Sequence, residues 1–458
     1  MTRRIPVVKL LVIVPMVMVV GSLVAETEGG VPYPDYVGPE LWIDGPKAVQ
    51  PGNNRNNPGV AVDNWGGRIH VWEAFGAIDR NDIFMRRFDA SGNPLEDPQQ
   101  VNTTTEDDQR LPEVAVSSDG SFLVIFDSDE FHPTAGVDRD VLRSQAYDAN
   151  GNPVGNEQLL SAAPTPRRLD LKADVAALRT ADGSAGGYAV VWLSYDSSGT
   201  DTSYGLEACL VSAAGVPSQQ FQVPSDPDGT QDNPSVTELN DGGFLVTWTE
   251  SSQVWGRRFN AAGGPIGNDF VISTSFVAQK LEGDAAIGME GRVIVVWADQ
   301  EDNGGANARE IYARLFDADL NPLGPDFRVN TVLDSDQSDP RVADLGPEGF
   351  LVVWQSPVSS GDDPQVSIES RLVTGSNQFG SPQKQVNIWG TNGQQAPSAH
   401  GWYGRAAVDW RSLSIGIEPI PNPNTDDHII GRDVEYCLFC DDFEWFSPGG
   451  SGSLWRWN

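Results

Sequence analysis

Pro234-Ser-Val-Thr-Glu-Leu-Asn-Asp-Gly-Gly-Phe-Leu-Val-Thr-Trp248 reads as a short apolar strand, an Asp-Gly-Gly turn and a second strand ending on tryptophan. Asp can bond the backbone two residues on and glycine accepts positive φ, so the segment is an antiparallel hairpin. The second half of this pattern recurs along the chain. The other copies are Gly67-Arg-Ile-His-Val-Trp72, Gly120-Ser-Phe-Leu-Val-Ile-Phe126, Gly187-Tyr-Ala-Val-Val-Trp192, Gly291-Arg-Val-Ile-Val-Val-Trp297, Gly349-Phe-Leu-Val-Val-Trp354 and Gly404-Arg-Ala-Ala-Val-Asp-Trp410. Their terminal aromatics lie 54, 66, 56, 49, 57 and 56 residues apart. A period near that length, with β-branched strands, is the signature of a propeller or array; a sandwich domain needs roughly 100 residues.

Each copy carries further parts. A short strand precedes the aromatic one, as in Pro112-Glu-Val-Ala-Val116 and Pro340-Arg-Val-Ala343. A third follows a variable loop, as in Ile83-Phe-Met-Arg-Arg-Phe88 and Ile311-Tyr-Ala-Arg-Leu-Phe316. A tight turn such as Asp89-Ala-Ser-Gly-Asn-Pro94 then leads to a fourth, such as Phe270-Val-Ile272. Four strands per repeat make one blade, so the sequence predicts an all-β, seven-bladed β-propeller of four-stranded antiparallel blades. The last repeat shows no clear fourth strand. Gly38-Pro-Glu-Leu-Trp42 and Lys47-Ala-Val49 resemble the missing piece, which predicts closure by the N-terminal strand and leaves no open sheet edge. The resulting division is a leader over 1–25, a closing segment over 26–57, the propeller over 58–436 and a tail over 437–458.

The chain of 458 residues holds 64 Asp and Glu against 30 Lys and Arg, a net charge of −34. Nucleic acid is excluded as a partner, because phosphate neutralisation needs clustered cations. Arg3, Arg4 and Lys9 followed by an apolar run to Val20 and small residues to Ala25 have the form of a secretory leader. The run is short for a spanning helix, so no transmembrane segment is expected in the mature chain, which is expected to be secreted or on the extracellular surface. Only Cys209, Cys437 and Cys440 are present. Cys437-Leu-Phe-Cys440 has no second pair of ligands for zinc and no βαβ context for redox work, so a local disulfide or inert thiols is the reading.

Trp192, Trp248, Trp297 and Trp354, ending strands in successive repeats, are expected to pack between blades. Gln-x-x-Pro at Gln109, Gln231, Gln337 and Gln394 is expected to satisfy backbone groups, because a catalytic group is needed only once. Long connections lie on one face and are rich in acids, and variable loops on a rigid scaffold are where binding usually sits. On that face Asp127, Asp129, Asp138 and Asp140, the run Asp299-Gln-Glu301-Asp302-Asn303, and Asp334-Ser-Asp336 could form oxygen cages. Calcium is the cofactor such cages suit, with Asp127, Asp129, Asp299, Glu301, Asp302 and Asn303 as candidate ligands. His70 lies within a strand as a packed residue, and His132, His400 and His428 lie in or beside loops without metal or triad spacing. Many carboxylates could meet at the ring centre, which is the chemistry glycoside hydrolysis needs, but the sequence does not select the pair. Asp241-Gly-Gly-Phe-Leu-Val-Thr-Trp248 has the composition of a sialidase Asp-box, yet its Trp falls two positions late.

With these blades in hand, residues 58–435 resemble secreted bacterial β-propeller repeat proteins whose blades read P-x-V-A, G-G-F-V-V-W, I-x-x-R-x-F and D-x-x-G. The resemblance implies architecture and an extracellular location more than chemistry. Leu438-Phe-Cys-Asp-Asp-Phe-Glu-Trp445 with Trp455-Arg-Trp457 resembles, in part, a short F-x-D-G-F-E tail of exported bacterial proteins. Two functions follow as expectations. The first is a non-enzymatic binding or adhesion protein that holds an extracellular protein or glycan on its acidic loop face. The alternative is a secreted carbohydrate-active enzyme, a glycoside hydrolase with carboxylates in the central pocket.

Overall fold

The computed structural model describes residues 35–36, 41–44, 55–412 and 428–435, apart from 76–79, 106, 133–136, 162–171, 196–203, 227–228, 275–278, 301–307, 334–335, 359–364, 376–377, 388–393 and 403–404. The described chain is a β-propeller of antiparallel sheets. Six blades are each contiguous in sequence. Their inner strands are Arg55–Val62, Gln109–Val116, Asp174–Arg179, Gln231–Glu238, Lys280–Ile287 and Ser338–Asp344. In each, the aromatic strand pairs with the inner one and the third and fourth strands follow outward.

The expectation of a seven-bladed propeller of four-stranded blades is corrected: the described residues form six blades. Six blades are formed in that way, and the sixth divides its outer position between Gln378–Phe379 and Lys384–Gln385. The remaining sheet is a composite of five strands. Gln394–Trp402, Arg405–Ser412 and His428–Glu435 come from the last repeat, while Asp35–Tyr36 and Leu41–Trp42 both pair with His428–Glu435. Seven aromatic strands are legible because that pattern is local. Which sheets are complete blades depends on where remote segments find a free edge, and no local pattern encodes that.

The turns follow their chemistry. Asp89 Oδ1 accepts from the backbone N–H groups of Ser91 and Asn93 at 2.9 and 2.8 Å, and Asp148 and Asp317 do the same in their blades. Accepting these bonds, together with side-chain bonds from Asn93, Asn152 and Asn321, holds the three carboxyl groups below their ordinary range.

The expected Trp packing is observed. Trp192, Trp248, Trp297, Trp354 and Trp410 are fully buried, each against apolar residues of the preceding blade, and Phe126 does likewise. Each Trp buries about 150–250 Å², so truncation to Ala costs about 3–5 kcal/mol. A second link is the arginine of the I-x-x-R-x-F strand. Arg257, Arg314, Arg371 and Arg432 donate to the carbonyls of Val223, Ile272, Val329 and Val386 in the preceding blade at 2.5–2.7 Å. Arg86 reaches Ile43 of the N-terminal segment at 3.2 Å. The seam between the composite sheet and the first blade is closed by Val60 and Val62 against Ala407, and by a buried pair, His70 Nδ1 and Asp409 Oδ2, 2.5 Å apart. His70 is thus the packed residue expected, with a remote partner.

Candidate active site in the central channel

The inner strands line a channel of about 970 Å³ along the ring axis. Each inner strand has one residue in the left-handed region, within it or, for Lys172, just before it: Asn57, Leu111, Lys172, Asn233, Glu282, Asp339 and Ala396 have φ of 42–50°. At six of these the ladder slips register, and proline follows in five cases. A bulge re-aims the side chains after it, and the recurrence of a strained φ in Leu111 and Glu282 shows that the fold imposes it.

Two residues beyond each left-handed residue stands one position per sheet: Gly59, Glu113, Asp174, Ser235, Asp284, Arg341 and Ser398. Each is opposite the residue that precedes the strand-ending aromatic, so all seven share one level of the ring, and all but Gly59 line the channel. At this level three acids and one arginine converge. Asp174 accepts from Val175 N at 2.7 Å and from Val236 N of the next blade at 2.7 Å. Asp284 accepts from Ala285 N at 2.8 Å and from Val342 N of the next blade at 2.9 Å. Ser235 Oγ donates to Asp284 Oδ1 at 3.2 Å and also lies within reach of Asp174. Ser398 accepts from Val60 N at 3.1 Å, the same link made by a hydroxyl.

Glu113 differs. Among the described residues none donates a hydrogen bond to its carboxyl group, which leans toward Gly59: a Cβ there would stand 3.4 Å from Oε2 and 2.9 Å from Val71. Glycine leaves the space the carboxyl group occupies. Burial pushes Glu113 from 4.5 to about 8, with Arg341 opposing and Asp174 and Asp284 adding to the rise. Burial and the like charge of Asp284 lift Asp174 to about 6, held down by its two N–H bonds and Ser235. Burial also raises Asp284 against the pull of Arg341. Their surroundings thus hold Glu113 above Asp174, so Glu113 is the one that keeps its proton to higher pH. Carboxyl groups driven apart in this way by their surroundings are how one site holds an acid and a base together.

The loop-face candidates separate. Asp127 and Asp129 are buried within the strand Phe122–His132. Asp299 is buried and accepts from Lys280 Nζ at 3.1 Å, an internal ion pair. Glu301, Asp302, Asn303, Asp334, Cys437 and Cys440 lie outside the described residues, as do the leader and the tail. Among the described residues no group of three or more His, Cys, Asp or Glu is placed to hold a metal ion, and no helix is long and apolar enough to cross a membrane. Gln337 Oε1 accepts from the Trp354 indole N–H at 2.8 Å, so this glutamine serves a buried side chain. His400 lies in an inner strand, where its Nδ1 accepts from Val62 N at 3.3 Å and burial lowers it to about 4. Cys209 is buried, and burial pushes its thiol up to about 12.

Sequence reading missed the Glu113 level because each member sits in a strand of ordinary type. A signal existed: the position before Val or Ala in the first strand is polar in six of the seven repeats, namely Glu113, Asp174, Ser235, Asp284, Arg341 and Ser398.

No protein-family model matches this sequence, and no curated protein matches it. Solved structures do share its fold. One is a protein of unknown function from Dyadobacter fermentans, with a TM-score of 0.50 and 11% identity over 89% of this chain and 100% of that one. Another is a polysaccharide lyase, an ulvan lyase, with a TM-score of 0.46 and 10% identity over 89% and 95%. A third is an α-L-arabinofuranosidase from Fusarium graminearum, with a TM-score of 0.46 and 11% identity over 89% and 98%. At 11% identity the likeness to the first of these concerns fold alone.

Proposed function

We propose that this chain is a carbohydrate-active propeller that hydrolyses glycosidic bonds in its central channel, with Glu113 as general acid and Asp174 as its ionised partner. The observation that supports this is the placement of Glu113 and Asp174 on one level of the channel wall in neighbouring blades, in surroundings that push one carboxyl group to about 8 and the other to about 6. In the reaction, Glu113 gives its proton to the glycosidic oxygen as the bond from C1 to that oxygen breaks. Asp174 takes a proton from the water whose oxygen bonds to C1, so one water is consumed per bond cleaved. Asp284 and Arg341 set the local charge, and Ser235 bridges the two aspartates. Enzymatic chemistry thus takes precedence over adhesion on the acidic loop face. The leader-like residues 1–25 support export, where polymeric glycans are met, and N-terminal sequencing of exported protein tests that step.

The test incubates purified residues 26–458 with a panel of polysaccharides and reads retained protein and released reducing ends in the same tubes. The expected result is release by the natural sequence and loss of release with retained binding in Glu113→Gln. Turnover by Glu113→Gln at the natural rate overturns the assignment. A second reading, a glycan-binding module without turnover, draws on one observation: Asp174, Asp284 and Ser398 all cap an N–H of the following sheet, a structural task. Retention without released ends selects it.

A further inference from the structure

We propose that Trp65 is a sugar-stacking subsite at the mouth of the channel, on the face carrying the short turns. The proposal rests on the reading of the channel as a glycan site. The turns between first and second strands share one backbone plan. In the loops beginning at Asp63, Ser117, Thr180 and Leu239, the first residue donates its N–H to the carbonyl of the fifth and accepts from the N–H of the fourth. The third position holds Asp119, Asp182 and Asp241, and each of these carboxylates accepts from the backbone N–H of the fifth residue. In the first blade the third position is Trp65, and the task has moved to the first. Asp63 Oδ1 accepts from Trp65 N at 2.8 Å and from Gly67 N at 2.7 Å. The turn is therefore capped from another position, which frees the third to carry an indole.

That indole is 60% exposed, whereas Trp72, Trp192, Trp248, Trp297, Trp354 and Trp410 are at most 1% exposed. Large apolar area left in water is unfavourable, and a rigidly presented aromatic of this kind marks a contact surface. The turn is held firmly. Asn64 Nδ2 donates to Ser118 O of the next blade at 3.0 Å, and one edge of the indole rests over Gly120, where a Cβ would fall 3.1 Å from Cζ3. Asn64 and Ser118 line the channel itself, so the surface beside Trp65 is continuous with the channel wall. An aromatic face next to amide and hydroxyl groups suits a pyranose ring, whose C–H face stacks while its hydroxyls bond. Among the other exposed apolar residues, Leu95, Val216, Ile266 and Leu323 recur at the turns between third and fourth strands, so the repeat accounts for them, and Met289 is the one that shares the turn type of Trp65 without being aromatic.

The experiment uses residues 26–458 carrying Glu113→Gln, to hold binding apart from turnover, titrated calorimetrically with cellohexaose, xylohexaose and mannohexaose and with their disaccharides. Trp65→Ala is expected to weaken the bound hexasaccharide about tenfold while leaving disaccharide binding and Tm unchanged, and Trp65→Phe to restore most of the affinity. Hexasaccharide binding equal in Trp65→Ala and its parent overturns the subsite while leaving the channel assignment standing. Absence of binding by all six sugars to the Glu113→Gln parent, together with no released ends from the natural sequence, overturns both.

Discussion

Replacing Glu113 with glutamine should stabilise the protein while silencing it. The carboxyl group lies at about 8 in the folded chain against 4.5 ordinarily. Between these values the native state holds a proton that the unfolded chain has released, so stability falls as pH rises from 4.5 to about 8 and is level beyond it. At about 1.36 kcal/mol per pH unit, retaining the proton at pH 7 costs folding about 3 kcal/mol. Glutamine has the shape of the protonated acid and no charge to suppress. With an unfolding entropy of about 2.1 cal/mol/K per residue over a chain of this length, the gain corresponds to roughly 3–4 °C in Tm at pH 7. It should shrink to under about 1 °C at pH 5 and grow to about 5 °C at pH 8.5. Thermal melts of both proteins at the three pH values measure this. A variant that melts at or below the natural protein at pH 7, or a gap that does not widen with pH, refutes the placement of Glu113 as a half-buried, protonated acid. A functional group that opposes stability in this way is the usual trade at an active site.

Three further outcomes are expected. The kcat/KM of the natural protein should follow a bell, rising through about 6 as Asp174 ionises and falling through about 8 as Glu113 loses its proton; a profile flat across that range speaks against the pair. Arg341→Met removes the cation that draws Glu113 and Asp284 down, so the alkaline limb should move to higher pH; an unchanged limb refutes that coupling. Asp409→Ala strands His70 Nδ1 at the seam between composite sheet and first blade, and thermal melts should show a loss of about 1–3 kcal/mol.

The blade plan was legible in one dimension because its causes are local. Alternating β-branched residues, Asp-Gly turns and a strand-ending aromatic act over a few residues, and they predicted the strands, the tight turns and the burial of Trp248 and Trp354. The arginine of I-x-x-R-x-F was visible as a motif, but its reach to a carbonyl of the preceding blade was not. Asp127 and Asp299 looked like surface ligands because acidic runs resemble cation cages; the structure buries both, and Asp299 faces Lys280.

The sequence by itself determined a four-strand repeat, its turn chemistry and its acidic balance. Tertiary structure alone decided that six blades are contiguous while the last sheet is assembled from both ends of the described chain. It also decided that Glu113, Asp174, Asp284 and Arg341, from four different blades, face one another. The physical reason is range: strand and turn formation depend on neighbours in sequence. The displaced pKa values of Glu113 and Asp174 arise from burial and from charges that only ring closure brings together.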